Sequence, residues 1–288
     1  MLSALKNWDP FWISLGPVIA INGFFFIMLI IFAVTHWKLP HDEELATRHR
    51  SRLLNLWFRE YWIWSTNPIL KLLIRLGISP NGLTTVGFLF SCLAGVALAQ
   101  GLVGVAGWMI IASGTCDIFD GRIARLSGKM SVSGGFYDSV MDRLGEAVVF
   151  LGAAIYFRES WVLYFVIAGL IGSFMVSYTR ARGLSEGIKC DSGTMQRPER
   201  IVYLGVGSVF SPLVKLAISG GNINAPEYIT IAALVLIGVM TNLTALHRIM
   251  YIFKKLNEKN PPNFTSQSKL AKSPIITKLR DTIVDSLS

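Results

Sequence analysis

Four aspartates carry the strongest chemical signal in this chain. Asp117 and Asp120 open the string Asp117-Ile118-Phe119-Asp120-Gly121-Arg122-Ile123-Ala124-Arg125. Eight residues later comes Gly134, followed by Asp138 and Asp142. Spacings of three and four residues put each pair on one face of a helix. Gly121 and Ala124 share the first face, and Gly134 and Gly145 share the second. Small residues there let two backbones approach, or let a ligand lie against them. Four facing carboxylates repel one another, and their lost hydration has to be replaced. A single carboxylate at the centre of a membrane helix already costs ~2.5–3.5 kcal/mol on insertion scales, less near the interface. Hard divalent cations such as Mg²⁺ or Mn²⁺ answer both problems with oxygen coordination. Two ions shared by four carboxylates could bridge a diphosphate and stabilise the attacking and leaving oxygens of a phosphoryl displacement. Arg125 adds a planar fork suited to phosphate oxygens. An aspartate beside a metal can take a proton from a bound hydroxyl within hydrogen-bond reach.

The elements that must hold these residues are membrane helices. The chain has 288 residues, 52% hydrophobic and 16% charged. Soluble domains carry ~25% charged residues. Mean hydropathy is +0.50. A membrane helix needs ~20 mostly apolar residues. Seven stretches qualify: Gly16 to Thr35, Leu83 to Gly101, Gly104 to Leu126, Gly134 to Phe157, Trp161 to Arg180, Arg200 to Ser219, and Glu227 to about Phe253. Between the first two lies a charged stretch, Lys38 to Arg59, that runs into Trp57, Phe58, Tyr61, Trp62 and Trp64. Basic residues mixed with aromatics predict a helix lying in the headgroup plane. Gly77-Ile78-Ser79-Pro80-Asn81-Gly82 ends it in a turn. The expected fold is therefore all-α: a polytopic helix bundle with a six-span core, one extra N-terminal span and an interfacial amphipathic helix. In segments, this reads as an extra span in 1–37, an interfacial segment in 38–80, the core in 81–258 and a polar tail in 259–288. Within the tail, Ile275 to Leu287 is amphipathic.

The net charge of +9 is distributed to match. Lys38 to Arg75, Arg122 to Lys129, Arg180 to Arg200 and Arg248 to Lys259 fall on one side of the predicted spans. The other side holds only Lys6, Arg158 and Lys215. This asymmetry makes the rich side cytoplasmic and puts the N-terminus outside. It also assigns the basic excess to topology and anionic lipid, and no nucleic-acid-binding motif is present to claim it. Cys92, Cys116 and Cys190 have no metal spacing and read as small packing residues. His36, His41, His49 and His247 are scattered and read as interfacial or packing residues.

The string Asp-x2-Asp-Gly-x2-Ala-Arg-x8-Gly-x3-Asp-x3-Asp resembles the signature of the CDP-alcohol phosphotransferase family at every motif position. The six-span core, roughly Asn81 to Phe253, fits that family too. The resemblance implies that Asp117, Asp120, Asp138 and Asp142 hold a pair of Mg²⁺ or Mn²⁺ ions. It implies that Asp142 also deprotonates the acceptor hydroxyl. Asp120, Gly121, Ala124, Arg125 and Gly134 are the implied contacts to the CDP moiety. Asn81 and Thr84, in Ile-Ser-Pro-Asn-x2-Thr, resemble a common family entry to the span before the motif and join that set. CDP-diacylglycerol is the implied donor, and a homodimer the implied assembly, in an inner membrane with the site on the cytoplasmic side.

A second cluster is basic. Ser177-Tyr178-Thr179-Arg180 and Gln196-Arg197-Pro198-Glu199-Arg200 flank one cytoplasmic loop, and Arg248 closes the last span on the same side. Converging guanidinium groups suit a dianionic phosphate. This arrangement resembles the phosphatidylinositol-phosphate synthase-like subgroup, which implies that Arg180, Arg197, Arg200 and Arg248 bind the phosphate of an inositol-phosphate-like acceptor. Glycerol 3-phosphate and an unphosphorylated alcohol stay open as acceptors. A divalent-cation transporter would also use intramembrane carboxylates. It leaves the intervening Gly, Ala and Arg residues unexplained, and the nearby arginines would repel its cargo.

Overall fold

A computed structural model describes residues 10–35, 56–190, 192–220, 222 and 225–259. Among them are eight helices and no strands: α1 Pro10–Thr35, α2 Leu56–Arg75, α3 Pro80–Ala99, α4 Val103–Leu126, α5 Val132–Tyr156, α6 Val162–Ser185, α7 Arg197–Ser219 and α8 Tyr228–Lys259. The basic run before α2, with Arg48, Arg50 and Arg52, lies outside the described residues. So do His36, His41, His49 and the C-terminal tail with its amphipathic piece.

Six helices (α1, α3, α4, α6, α7 and α8) are long and apolar enough to cross a membrane. The remaining predicted span, α5, is long enough but fails on composition. Every 18-residue stretch of it contains the three charged residues Asp142, Arg143 and Glu146. It still packs as a member of the bundle, chiefly against α3. The chain is thus an all-α, multi-pass membrane bundle. Several helices outrun the apolar windows: α6 continues to Ser185, α7 starts at Arg197 and α8 reaches Lys259. Hydropathy marks only the part in lipid, while the polar turns beyond it stay helical.

Local chemistry sets the helix starts. Ser79 caps α3, its Oγ accepting from Gly82 N at 3.1 Å, with Pro80 in the first turn. Ser131 caps α5 in the same way, accepting from Gly134 N at 3.0 Å. Each satisfies an orphan N–H that the helix cannot pair internally. Between α2 and α3 the chain reverses at Gly77, whose φ of 68° is the left-handed conformation a glycine adopts without strain.

Close packing comes from small residues. A Cβ on Gly152 of α5 would strike the backbone of Gly95 on α3. One on Gly107 of α4 would meet Gly205 O of α7 at 2.7 Å. These backbone approaches draw α3 to α5 and α4 to α7. The main core fills the space between them with Leu98, Ile110, Phe150, Leu204, Leu234 and Ile237, among others. A smaller cluster lies beneath the first aspartate pair, where Leu70 of α2 packs with Leu83, Cys116, Phe119 and Ile123. Helix α2 thereby backs the helix that carries Asp117 and Asp120.

The extra helix α1 joins through aromatics. Phe25 stacks between Trp62 of α2 (5.2 Å) and Trp108 of α4 (4.9 Å). Tyr61 donates its hydroxyl to the Phe25 carbonyl at 2.5 Å. At the opposite end from the aspartates, Lys215 is buried and its Nζ meets Glu227 Oε1 at 3.0 Å, while Ser211 donates to Glu227 Oε2 at 2.7 Å. Lys215, counted in the sequence among the charges of the non-cytoplasmic side, is therefore neutralised inside the bundle.

Candidate active site

Four helix ends, of α3, α4, α5 and α7, meet where the aspartates lie. Asp117 and Asp120 sit near the C-terminal end of α4, and Asp138 and Asp142 near the N-terminal end of α5. Asn81 and Thr84 belong to the first turns of α3, and Arg197 and Arg200 to the first turn of α7. Arg180 lies in the last turns of α6.

One carboxylate oxygen from each of Asp117, Asp120 and Asp138 falls within 4.8 Å of the others. Asp120 is buried, and the Thr84 hydroxyl donates to its Oδ2 at 2.7 Å. Asp138 Oδ1 is buried with no hydrogen-bond partner among the described residues. An unsatisfied carboxylate oxygen facing two further carboxylates fits a divalent cation, which takes oxygen ligands and cancels the repulsion.

Asp142 stands outside that trio. Its Oδ1 accepts from Arg197 Nη2 at 2.6 Å, while Arg197 Nη1 lies 3.1 Å from Asp117 Oδ2. The guanidinium thus bridges the two helices that carry the aspartates. One turn deeper on α5, Glu146 receives a bidentate pair from Arg200, Nε to Oε1 at 2.5 Å and Nη2 to Oε2 at 2.9 Å. Arg200 is buried, and its Nη1 also points to the Met195 carbonyl at 3.4 Å. A cavity of about 40 Å³ runs between these groups, lined on its polar side by Asp142, Glu146, Arg197, Arg200, Ser91 and Ser113.

Gly134 lies against Asn81, because a Cβ there would come 3.3 Å from Asn81 Oδ1. The Arg125 guanidinium folds over Gly121, and a Cβ on Gly121 would meet its Nη1 at 3.2 Å. Ala124 is half-buried on the same helix. Arg180 is exposed. Arg248 is buried and donates to two backbone carbonyls, Ser192 O from Nε and Val176 O from Nη1, both at 2.7 Å. Of the four arginines, Arg197 and Arg200 line the cavity beside Asp142, and Arg180 and Arg248 do not.

Glu146 is the residue that reading the sequence passed over. Its signal was available, since Asp138, Asp142 and Glu146 step along one helical face at intervals of four.

The family model for CDP-alcohol phosphatidyltransferase matches residues 77–254. An archaetidylinositol phosphate synthase of Pyrococcus horikoshii is 39% identical over 49% of this chain and 74% of its own length. A phosphatidylinositol phosphate synthase of Streptomyces avermitilis is 31% identical over 72% of this chain and 85% of its own. The fold is similar to that of the Mycobacterium tuberculosis phosphatidylinositol phosphate synthase. In its complex with manganese and citrate, that structure gives a TM-score of 0.57 at 22% identity, covering 65% of this chain and 88% of its own. Its CDP-DAG-bound form gives 0.55 at 23%, covering 65% and 93%. With the signature complete, its helices assembled around one acidic centre and the family model spanning well over half its length, the chain belongs to the CDP-alcohol phosphatidyltransferase family and is a transferase of that type.

Proposed function

We propose that this enzyme transfers the phosphatidyl group of CDP-diacylglycerol to a phosphorylated polyol, an inositol phosphate, and releases CMP. The observation that carries the reading is Arg197 bridging Asp117 of the three-carboxylate centre to Asp142, with Arg200 lining the same cavity. The similarity to an archaetidylinositol phosphate synthase and a phosphatidylinositol phosphate synthase supports the acceptor. The Mycobacterium tuberculosis structures with manganese and with CDP-DAG support the cofactor and donor.

Asp117, Asp120, Asp138 and Asp142 would hold two Mg²⁺ or Mn²⁺ ions, which would neutralise a diphosphate and make CMP a good leaving group. Asn81, Thr84, Gly121, Ala124, Arg125 and Gly134, with Asp120, cradle the CDP moiety. Gly121 and Gly134 leave room for it, and Arg125 offers donors to phosphate oxygens. Arg197 and Arg200 take the acceptor phosphate, fixing the hydroxyl near Asp142. Arg180 and Arg248 stand apart from that cavity, and Arg248 serves it indirectly by anchoring the chain at Ser192. Asp142 accepts the hydroxyl proton as the new O–P bond forms and the bond to CMP breaks. The lipid enters sideways from the cytoplasmic leaflet of an inner membrane, and the enzyme works as a homodimer.

The test is CMP release by purified protein in detergent with CDP-diacylglycerol and Mg²⁺, comparing inositol 1-phosphate, glycerol 3-phosphate, free inositol and serine. Release with inositol 1-phosphate above all others is expected. Preference for glycerol 3-phosphate would keep the phosphate pocket and correct the polyol. Release only with free inositol or serine would refute the arginine pocket.

A further inference from the structure

The four aspartates are not equivalent in their surroundings. Asp117, Asp120 and Asp138 already converge, with one buried oxygen unpartnered among the described residues. The Asp117–Asp142 pair is instead spanned by Arg197, with its Nη1 on one carboxylate at 3.1 Å and its Nη2 on the other at 2.6 Å. A guanidinium is always charged and makes strong charge-assisted bonds to carboxylates. It therefore does for this pair what a divalent ion would do. Arg200 is not free to share the task, because Glu146 holds two of its donors.

We propose that Arg197 is a tethered stand-in for the second divalent ion, so that one ion enters the open three-carboxylate site and the second enters only by displacing Arg197 from Asp117 and Asp142. Arg197 is the first residue of α7, preceded by irregular chain, so its side chain can swing without breaking the helix. Once displaced, it lies beside Arg200 at the cavity and becomes free to receive a phosphate. Ion loading and readiness for the acceptor are then one event. Phosphate on the acceptor stabilises the displaced arginine, and so favours the second ion by linkage. The first part rests on reading the aspartates as the metal centre, and the last on the proposed acceptor.

Mn²⁺ titration of the purified full chain in detergent, followed by electron paramagnetic resonance and calorimetry without lipid or acceptor, tests it. The wild type should show one tight and one weaker ion. Arg197→Ala should tighten the weaker ion by about tenfold or more, the order expected when a fork of charge-assisted bonds no longer competes. Arg197→Lys, which keeps the charge but loses the fork, should tighten it less and serves if the alanine variant does not fold. Arg158→Ala, an exposed change at the other end, should change nothing. Two equal ions in the wild type, or an unchanged second affinity in both Arg197 variants, would overturn the proposal. No substrate is present, so failure of the chain to release CMP would sink the transfer reading and leave this result standing.

Discussion

Thr84 and Asp120 lie 36 residues apart in sequence, yet a 2.7 Å hydrogen bond joins them in a buried setting. A hydrogen bond to a charged group contributes about 1.5–3 kcal/mol. Its further effect is to fix which way the Asp120 carboxylate points, and so whether three oxygens converge. Thr84→Val keeps the shape and removes the donor. It should lower the melting temperature in detergent and raise the Mg²⁺ concentration for half-maximal activity several-fold. An unchanged Mg²⁺ requirement would mean that Thr84 does not orient Asp120. Each aspartate pair was legible because spacings of three and four residues put it on one helical face, whereas the convergence of Asp117, Asp120 and Asp138 with Asp142 standing apart comes from how the two helices pack. Glu146 was less legible, since a lone glutamate beside a motif gains meaning only once Arg200 is seen across from it. Nor could spacing disclose that Arg248 spends two of its donors on backbone carbonyls while Arg197 reaches into the carboxylates. In sequence all four arginines look like the same positive-side signal.

The same site depends on how closely whole helices approach. Helix α3 brings Asn81 and Thr84, and α5 brings Asp138 and Asp142. Their separation is set where Gly95 and Gly152 bring backbone against backbone. Gly152→Ala should wedge α3 from α5. Overpacking of this kind costs about 1–3 kcal/mol, and the displaced aspartates should also lower kcat. Gly23→Ala on α1, where a new Cβ meets nothing within 4 Å, is the control and should match the wild type. Equal behaviour of the two variants, checked by thermal unfolding and turnover, would show that the α3–α5 approach does not set the site. Apolar length found the spans, but it gave their ends poorly at α6, α7 and α8, because helices do not stop where lipid does. The interfacial aromatics likewise announced α2, but not that Trp62 reaches back to stack on Phe25 of α1 and to donate from Nε1 to Thr115 of α4 at 3.1 Å.

Across the molecule, charge divides into two ends with different work. At one, Lys215 and Glu227 neutralise each other within a buried lock between α7 and α8. At the other, aspartates and arginines from α4, α5 and α7 line a cavity. Composition and apolar periodicity were enough to predict a multi-pass helix bundle. The pairing of charges within that end depends on tertiary contacts that no periodicity encodes. In the proposed reaction this acidic centre performs phosphatidyl transfer with Asp142 as the base. Turnover and CDP affinity of Asp142→Asn, measured side by side in Mn²⁺, test it most directly. The account predicts a loss of turnover of about 10²–10⁴-fold, the range for a positioned general base, with CDP affinity largely kept. Turnover close to wild type, or a CDP affinity that falls as far as turnover does, would contradict it.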